Sequence, residues 1–205
     1  MEEVNLIFGM RAVIEALDAG KEIEKIIIQK GLSNELYNQL RKALKGQTIP
    51  IQIVPPEKLN RVTDKNHQGV VAYLTEITYY NTEELLSRVF EKGRIPLVLI
   101  IDRVTDVRNF GAIARSAECA GVDFMIIPSR GAAQINGDAI KTSAGALHRI
   151  KVCREDNLKN VIDYLKNSGL QIVSCHEKTN ELIYDVDFKK PSAVIMGSEE
   201  NGISG

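Results

Sequence analysis

Asp102, Arg103, Asp106, Arg108, Asn109 and Arg115 crowd the chain between two wholly apolar runs. A guanidinium can grip a phosphate or carboxylate bidentately, and an asparagine amide can brace a neighbouring loop, so the chemistry on offer is the positioning of something polar and anionic. A second group lies near the other end, in Gly197-Ser-Glu-Glu-Asn-Gly-Ile-Ser-Gly205. There Gly197 and Gly202 let backbone approach a ligand closely, and Glu199 adds a carboxylate. Blander readings stand beside these. Turns are polar in any protein, Arg115 could be solvated and paired with Glu118 along a helix, and the glycines could serve a tight turn.

Those residues need elements to place them. Leu97-Val98-Leu99-Ile100-Ile101 has no polar alternation, as expected for a parallel strand buried on both faces, and Phe124-Met125-Ile126-Ile127 repeats the pattern. Between them Phe110, Ile113, Ala114 and Ala117 recur at helical spacing, with Asn109 expected as the cap and Gly121 just past the end. This strand, helix and strand predict a crossover unit. In open parallel sheets ligands sit beyond the carboxyl ends of the strands, which is where residues 102–109 fall. The strand Ala193 to Met196 leads into the glycine loop on the same side of the sheet.

Upstream, helices are expected at 11–19, Asn34–Lys45 and near Glu57–Val62, and strands at Lys25–Gln29, Ile49–Val54 and Val70–Leu74. They form a small α/β layer ending at residue 76. A charged helix from Thr82 to Glu91 and the turn Lys92-Gly93-Arg94 are expected as a connector over 77–95, with the larger domain from Pro96 to Gly205. Downstream the pattern predicts a short helix over Gly137–Ala144, a helix over Glu155–Asn167 and a strand at Gln171–Ser174. Alternating strands and helices define an α/β class.

The chain has 205 residues and a formal net charge of -1. No apolar stretch approaches membrane-spanning length and no basic segment precedes an apolar run at the start, so a cytoplasmic protein is expected. Cys119, Cys153 and Cys175 lie far apart and form no ligand spacing with His67, His148 or His176, so neither metal nor disulfide framework is expected. Cys119 is expected to pack on its helix. Between Arg94 and Arg154 basic residues outnumber acidic ones, which suits a polyanion held locally or a scatter of surface charge.

Neither a G-x-x-x-x-G-K-[ST] phosphate loop nor a G-x-G-x-x-G turn is present, and no G-x-S-x-G nucleophile turn appears. Ser143-Ala-Gly-Ala146 reads as a close-packing patch. Asn66-His67-Gln68-Gly69 could contact RNA or form a capped turn.

Taken together, N-F-G-A-I-A-R-S-A-E from Asn109, M-G-S-E-E-N-G-I-S from Met196, T-S-A-G-A from Thr142 and N-H-Q-G-V from Asn66 resemble the SpoU/TrmH family of RNA 2′-O-ribose methyltransferases. The resemblance covers essentially the whole chain. It implies an α/β-knot (SPOUT-type) methyltransferase domain behind a small N-terminal L30e-like RNA substrate-binding domain, a threaded exception to the rule that chains avoid knots. It further implies S-adenosylmethionine as cofactor, bound by backbone of the knot loops at Gly197, Ser198 and Gly202.

By the same resemblance Arg115, Asn109 and Glu199 are the catalytic candidates, and Arg108, His67 and Arg11 the RNA contacts. The nearest members methylate a guanosine of 23S rRNA, and the family is typically dimeric. A tRNA substrate, or a catalytically inactive RNA-binding member, are the alternatives. The sequence departs from the family pattern at Val107, where proline is common, and has no Ser-Leu-Asn loop and C-terminal helix before Gly205, so the domain is expected to be C-terminally incomplete.

Overall fold

A computed structural model describes residues 6–177 and 179–204. The described chain divides after Glu76 into two compact units.

The N-terminal unit runs β1 (Leu6–Phe8), α1 (Met10–Asp18), β2 (Ile23–Gln29), α2 (Glu35–Ala43), β3 (Ile51–Val54), α3 (Pro56–Asn60) and β4 (Val70–Leu74). Its sheet order is β1-β4-β2-β3, with β4 antiparallel to both neighbours and β2 parallel to β3. Alternate residues of β2 feed two small cores. Ile26 and Ile28 join Met10, Val13 and Leu40 from the long helices, while Ile27 meets Leu59 of α3. Asn34 starts α2 by accepting the Tyr37 N–H at 2.8 Å.

The C-terminal unit runs β5 (Tyr79–Tyr80), α4 (Thr82–Glu91), β6 (Leu97–Ile101), α5 (Val107–Cys119), β7 (Phe124–Pro128), α6 (Gly137–Thr142), a 3-10 turn, β8 (Lys151–Glu155), α7 (Leu158–Asn167), β9 (Gln171–Cys175), a second 3-10 turn and β10 (Ser192–Met196). All pairings are parallel, in the order β5-β8-β7-β6-β10-β9. Helices cover both faces, as the apolar runs require. Phe110, Ala114 and Ala117 of α5 and Ala139 of α6 pack on one side, and Leu85, Leu86, Val161 and Leu165 of α4 and α7 on the other. Strands added after β6 build outward to β8 and then resume across it at β9 and β10. The order therefore reverses at the β6/β10 pair, the position at which α/β sheets open a crevice.

Three expectations are corrected. The segment 77–95 is no connector: β5 extends the sheet beside β8, and α4 buries Leu85 and Leu86 in its core. The helix expected from Glu155 starts at Leu158, because Lys151–Glu155 is a strand paired with β7. Helix α5 starts at Val107 with Asp106 as its cap, accepting the Asn109 N–H at 2.8 Å, so Asn109 lies inside the helix. That places the Asn109 side chain at liberty to bond elsewhere.

Candidate functional site

β6 and β10 end side by side, with Ile101 opposite Met196. One residue further, the Asp102 N–H donates to the Met196 carbonyl at 2.8 Å, and the two chains then diverge into their loops. The β10 loop folds on itself. Ser198 and Gly202 exchange N–H···O bonds of 3.0 and 2.9 Å, and Ser198 Oγ accepts the Asn201 N–H at 3.1 Å. Gly202 turns at φ 61, and a Cβ on Gly197 would lie 2.1 Å from the Gly202 carbonyl carbon. No side chain fits at 197.

Two side chains from the β6 side lock this loop. Arg103 Nη2 donates to the Gly202 and Asn201 carbonyls at 3.2 and 3.4 Å, and its Nε stands 3.6 Å from the carboxylate of buried Asp102. Asp102 in turn accepts the Ser204 N–H. From α5, Asn109 Nδ2 donates to Glu199 Oε2 at 3.2 Å. Residues ninety positions apart in sequence thus meet across the strand reversal.

Beside the loop lies a hollow of about 330 Å³ lined by Cys175, His176, Glu177 and residues 196–202. Its volume falls within the range of small-molecule sites, and His176, Glu177, Ser198, Glu199, Glu200 and Asn201 bring polar groups to its wall. Burial pushes the Cys175 thiol above its ordinary value. A larger hollow of about 480 Å³ between α5 and the sheet is lined by Leu97, Ile113, Ala120, Phe188 and Val194, and its one polar side chain, Ser116, donates to the Ala112 carbonyl of its own helix. Sequence reading missed Cys175–Glu177. Their only signal was a position just after a strand, and nothing in the sequence puts β9 beside β10.

Asn109, Glu199, Gly197, Ser198 and Gly202 are therefore brought together. Arg108 and Arg115 are exposed on α5. Seven positions apart, they lie nearly in line along that helix. The Arg115–Glu118 pair of the blander reading is not made: Glu118 accepts from Arg149 Nε at 2.9 Å, which raises the Arg149 pKa through that hydrogen bond. Arg115 has no hydrogen bond or ion pair among the described residues. Cys119 is exposed rather than packed.

In the N-terminal unit Arg11 is exposed in the first turn of α1. His67 Nδ1 accepts the Gly69 N–H at 3.0 Å, so its Nε2 carries the proton donated to Asn60 Oδ1 at 2.8 Å. One ring nitrogen thus closes the turn at residues 67–69, and the other ties it to Asn60 at the end of α3. Among the described residues no group of three or more His, Cys, Asp or Glu could hold a metal ion, and no helix is long and apolar enough to cross a membrane.

A parallel sheet with locked loops and a polar hollow at its strand reversal is the frame of a small-molecule-binding α/β domain. Comparison with known proteins narrows this class. Residues 96–205 match the SpoU rRNA Methylase family, and residues 6–80 match RNA 2′-O ribose methyltransferase substrate binding. A Staphylococcus epidermidis protein assigned to the TrmH family of tRNA/rRNA methyltransferases is 35% identical over 204 residues, covering 100% of this chain and 82% of its own length. The SpoU methyltransferase AviRb of Streptomyces viridochromogenes, solved with AdoMet, superposes with a TM-score of 0.53 at 23% identity, over 97% of this chain and 74% of its own. An AdoMet-bound rRNA methyltransferase of Sinorhizobium meliloti gives 0.50 at 21%, over 97% and 72%. At these identities the structural likeness is one of fold. The chain belongs to the SpoU/TrmH family of RNA methyltransferases.

Proposed function

We propose that this chain methylates the ribose 2′-hydroxyl of a guanosine in 23S rRNA, using S-adenosylmethionine held at the β10 loop. The observation that carries the reading is the Asn109–Glu199 bond, which ties the segment from Asn109 to Glu118 to the glycine loop after Met196 at the rim of the hollow. The fit to the cofactor rests on this chain's own geometry. At Gly197 a Cβ would collide with Gly202, and the folded loop of residues 197–202 lines a hollow of about 330 Å³. Residues 197–202 and Cys175–Glu177 would hold the group. When bound it supplies an electrophilic methyl carbon, which leaves alignment of the acceptor as the larger task of the protein.

Arg115, exposed and without a partner among the described residues, is suited to grip an RNA phosphate bidentately and so fix the ribose. It positions rather than deprotonates, since a guanidinium stays protonated at any ordinary pH. Glu199, steadied by Asn109, orients groups across the rim. The match of residues 6–80 to a substrate-binding model and of 96–205 to an rRNA methylase model favours rRNA. The curated relative's tRNA/rRNA assignment keeps tRNA as the second reading.

Transfer of tritium from labelled S-adenosylmethionine to 23S rRNA fragments and to tRNA transcripts tests both. Label on a guanosine 2′-oxygen of the 23S fragment is expected, with Arg115→Ala losing at least about 100-fold in rate while keeping its fold. Label on tRNA alone would replace the substrate, and label on neither would leave an RNA-binding member without catalysis. Full activity of the Arg115→Ala protein would remove that residue from the site.

A further inference from the structure

In the N-terminal sheet, Leu6 of β1 lies opposite Tyr73 of β4, and Phe8 lies opposite Val71. Phe8 and Tyr73 are therefore diagonal neighbours on one face, roughly 7–8 Å apart along adjacent strands. Both rings are half-buried at the margin of the small core of Ile27, Val54, Leu59 and Val71. Helix α3, five residues long, covers that core.

Each ring carries a lysine. Lys65 Nζ stands 5.2 Å from the Phe8 ring centroid, and Lys25 Nζ 4.4 Å from that of Tyr73. Lys58 is close enough to act on Lys25, whose pKa is lowered by burial first, supported by Glu24 and lowered again by Lys58. Lysine stems do cover apolar surface in many proteins. Here, however, two lysines lie over two rings set diagonally on neighbouring strands, with Lys58 near enough to act on Lys25, an arrangement like that with which a sheet takes successive unpaired bases on aromatic faces and their phosphates on cations.

We infer that the β1/β4 face bearing Phe8 and Tyr73 binds single-stranded RNA, one base stacked on each ring and Lys25, Lys58 and Lys65 on the phosphates. The inference rests on the reading that the substrate is RNA. The occupant follows from charge complementarity and from the aromatic faces, which a duplex with its bases already stacked cannot use. The face is also continuous in sequence with the expected RNA contacts: Phe8 leads through Gly9 to Arg11, and Lys65 through Asn66 to His67.

The test uses the full chain and two fluorescent RNAs, an unstructured oligonucleotide and a blunt hairpin, followed by anisotropy across a salt series. Phe8→Leu with Tyr73→Leu keeps apolar bulk but removes both stacking faces. It is expected to weaken the oligonucleotide at least about tenfold and to leave the hairpin within about twofold. Lys25→Gln, Lys58→Gln and Lys65→Gln together are expected to lower the salt slope for the oligonucleotide by about 2. Photocrosslinked peptides should contain Phe8 or Tyr73, and a thermal melt close to that of the parent excludes unfolding as the cause.

RNA binding that survives the leucine pair, or falls equally for both RNAs, overturns the platform while leaving the RNA reading intact. Absence of affinity for either RNA in the parent chain overturns both.

Discussion

Arg103 holds the glycine loop from outside it. The residue sits at φ 57, a left-handed conformation that costs a side-chain-bearing residue roughly 1–2 kcal/mol. In exchange its guanidinium reaches two loop carbonyls and the Asp102 carboxylate, although its buried Nε has no hydrogen bond of its own. Nothing in the sequence distinguished Arg103 from Arg108, since both are arginines in a polar turn. The backbone twist that aims Arg103 at the loop was invisible there. Arg103→Ala is expected to loosen residues 198–202 and weaken S-adenosylmethionine about tenfold by calorimetry, equivalent to about 1.4 kcal/mol. Arg103→Gly, which relieves the φ strain but also lacks the guanidinium, should bind as weakly as the alanine variant. Cofactor affinity equal to the parent in both would mean that the loop's own hydrogen bonds suffice.

Helix α5 owes its position to one missing methyl group. A Cβ on Gly111 would stand 2.7 Å from Thr142 Cβ and 3.0 Å from the Ala139 carbonyl, so α5 and α6 approach as closely as they do because residue 111 is glycine. Gly111→Ala must push the helices apart or displace Thr142. The expected cost is about 1–3 kcal/mol, read as a lower unfolding midpoint in denaturant with an unchanged slope. The shift should also be felt at the site, because α5 carries Asn109 and Arg115. A midpoint at the parent value would show that α6 yields freely.

The elements that sequence made legible are those with apolar runs on both faces, β6, β7 and β10, and the helix between the first two. β8 was not legible, because Lys151 and Arg154 break its pattern. The structure accommodates the second charge by stacking the Arg154 guanidinium 3.6 Å from the Tyr79 ring centroid of β5. A two-residue strand such as β5 exists only through that partner. Asp106 displaced Asn109 as the cap because either residue could accept from a first turn, and the chain enters the helix three residues earlier than its apolar stripe suggests. The pairing of Asn109 with Glu199 was beyond sequence, since it depends on strand order.

Over the whole molecule, each unit has its own apolar clusters and its own response to alkali. Cys119, Cys153 and Cys175 all belong to the C-terminal unit. Cys153 is fully buried there, and its thiol is pushed from 9.0 up to about 12, chiefly by burial, against a lowering hydrogen bond from Thr82. Between those values an unfolded chain has lost the thiol proton and the folded chain has kept it. Stability must then fall as pH rises, by at most about 1.4 kcal/mol per pH unit from this group.

In the N-terminal unit two groups oppose each other. Burial raises Tyr73, which favours unfolding above pH 10.0, and lowers Lys25, which favours the folded state as pH approaches 10.5. The expected outcome is a steeper alkaline loss for the C-terminal unit, followed by denaturant titrations from pH 8 to 11 and resolved by hydrogen exchange in each unit. Cys153→Ala, although less stable at neutral pH for its lost packing, should flatten that limb. An alkaline slope as steep in the variant as in the parent would place the titrating group elsewhere.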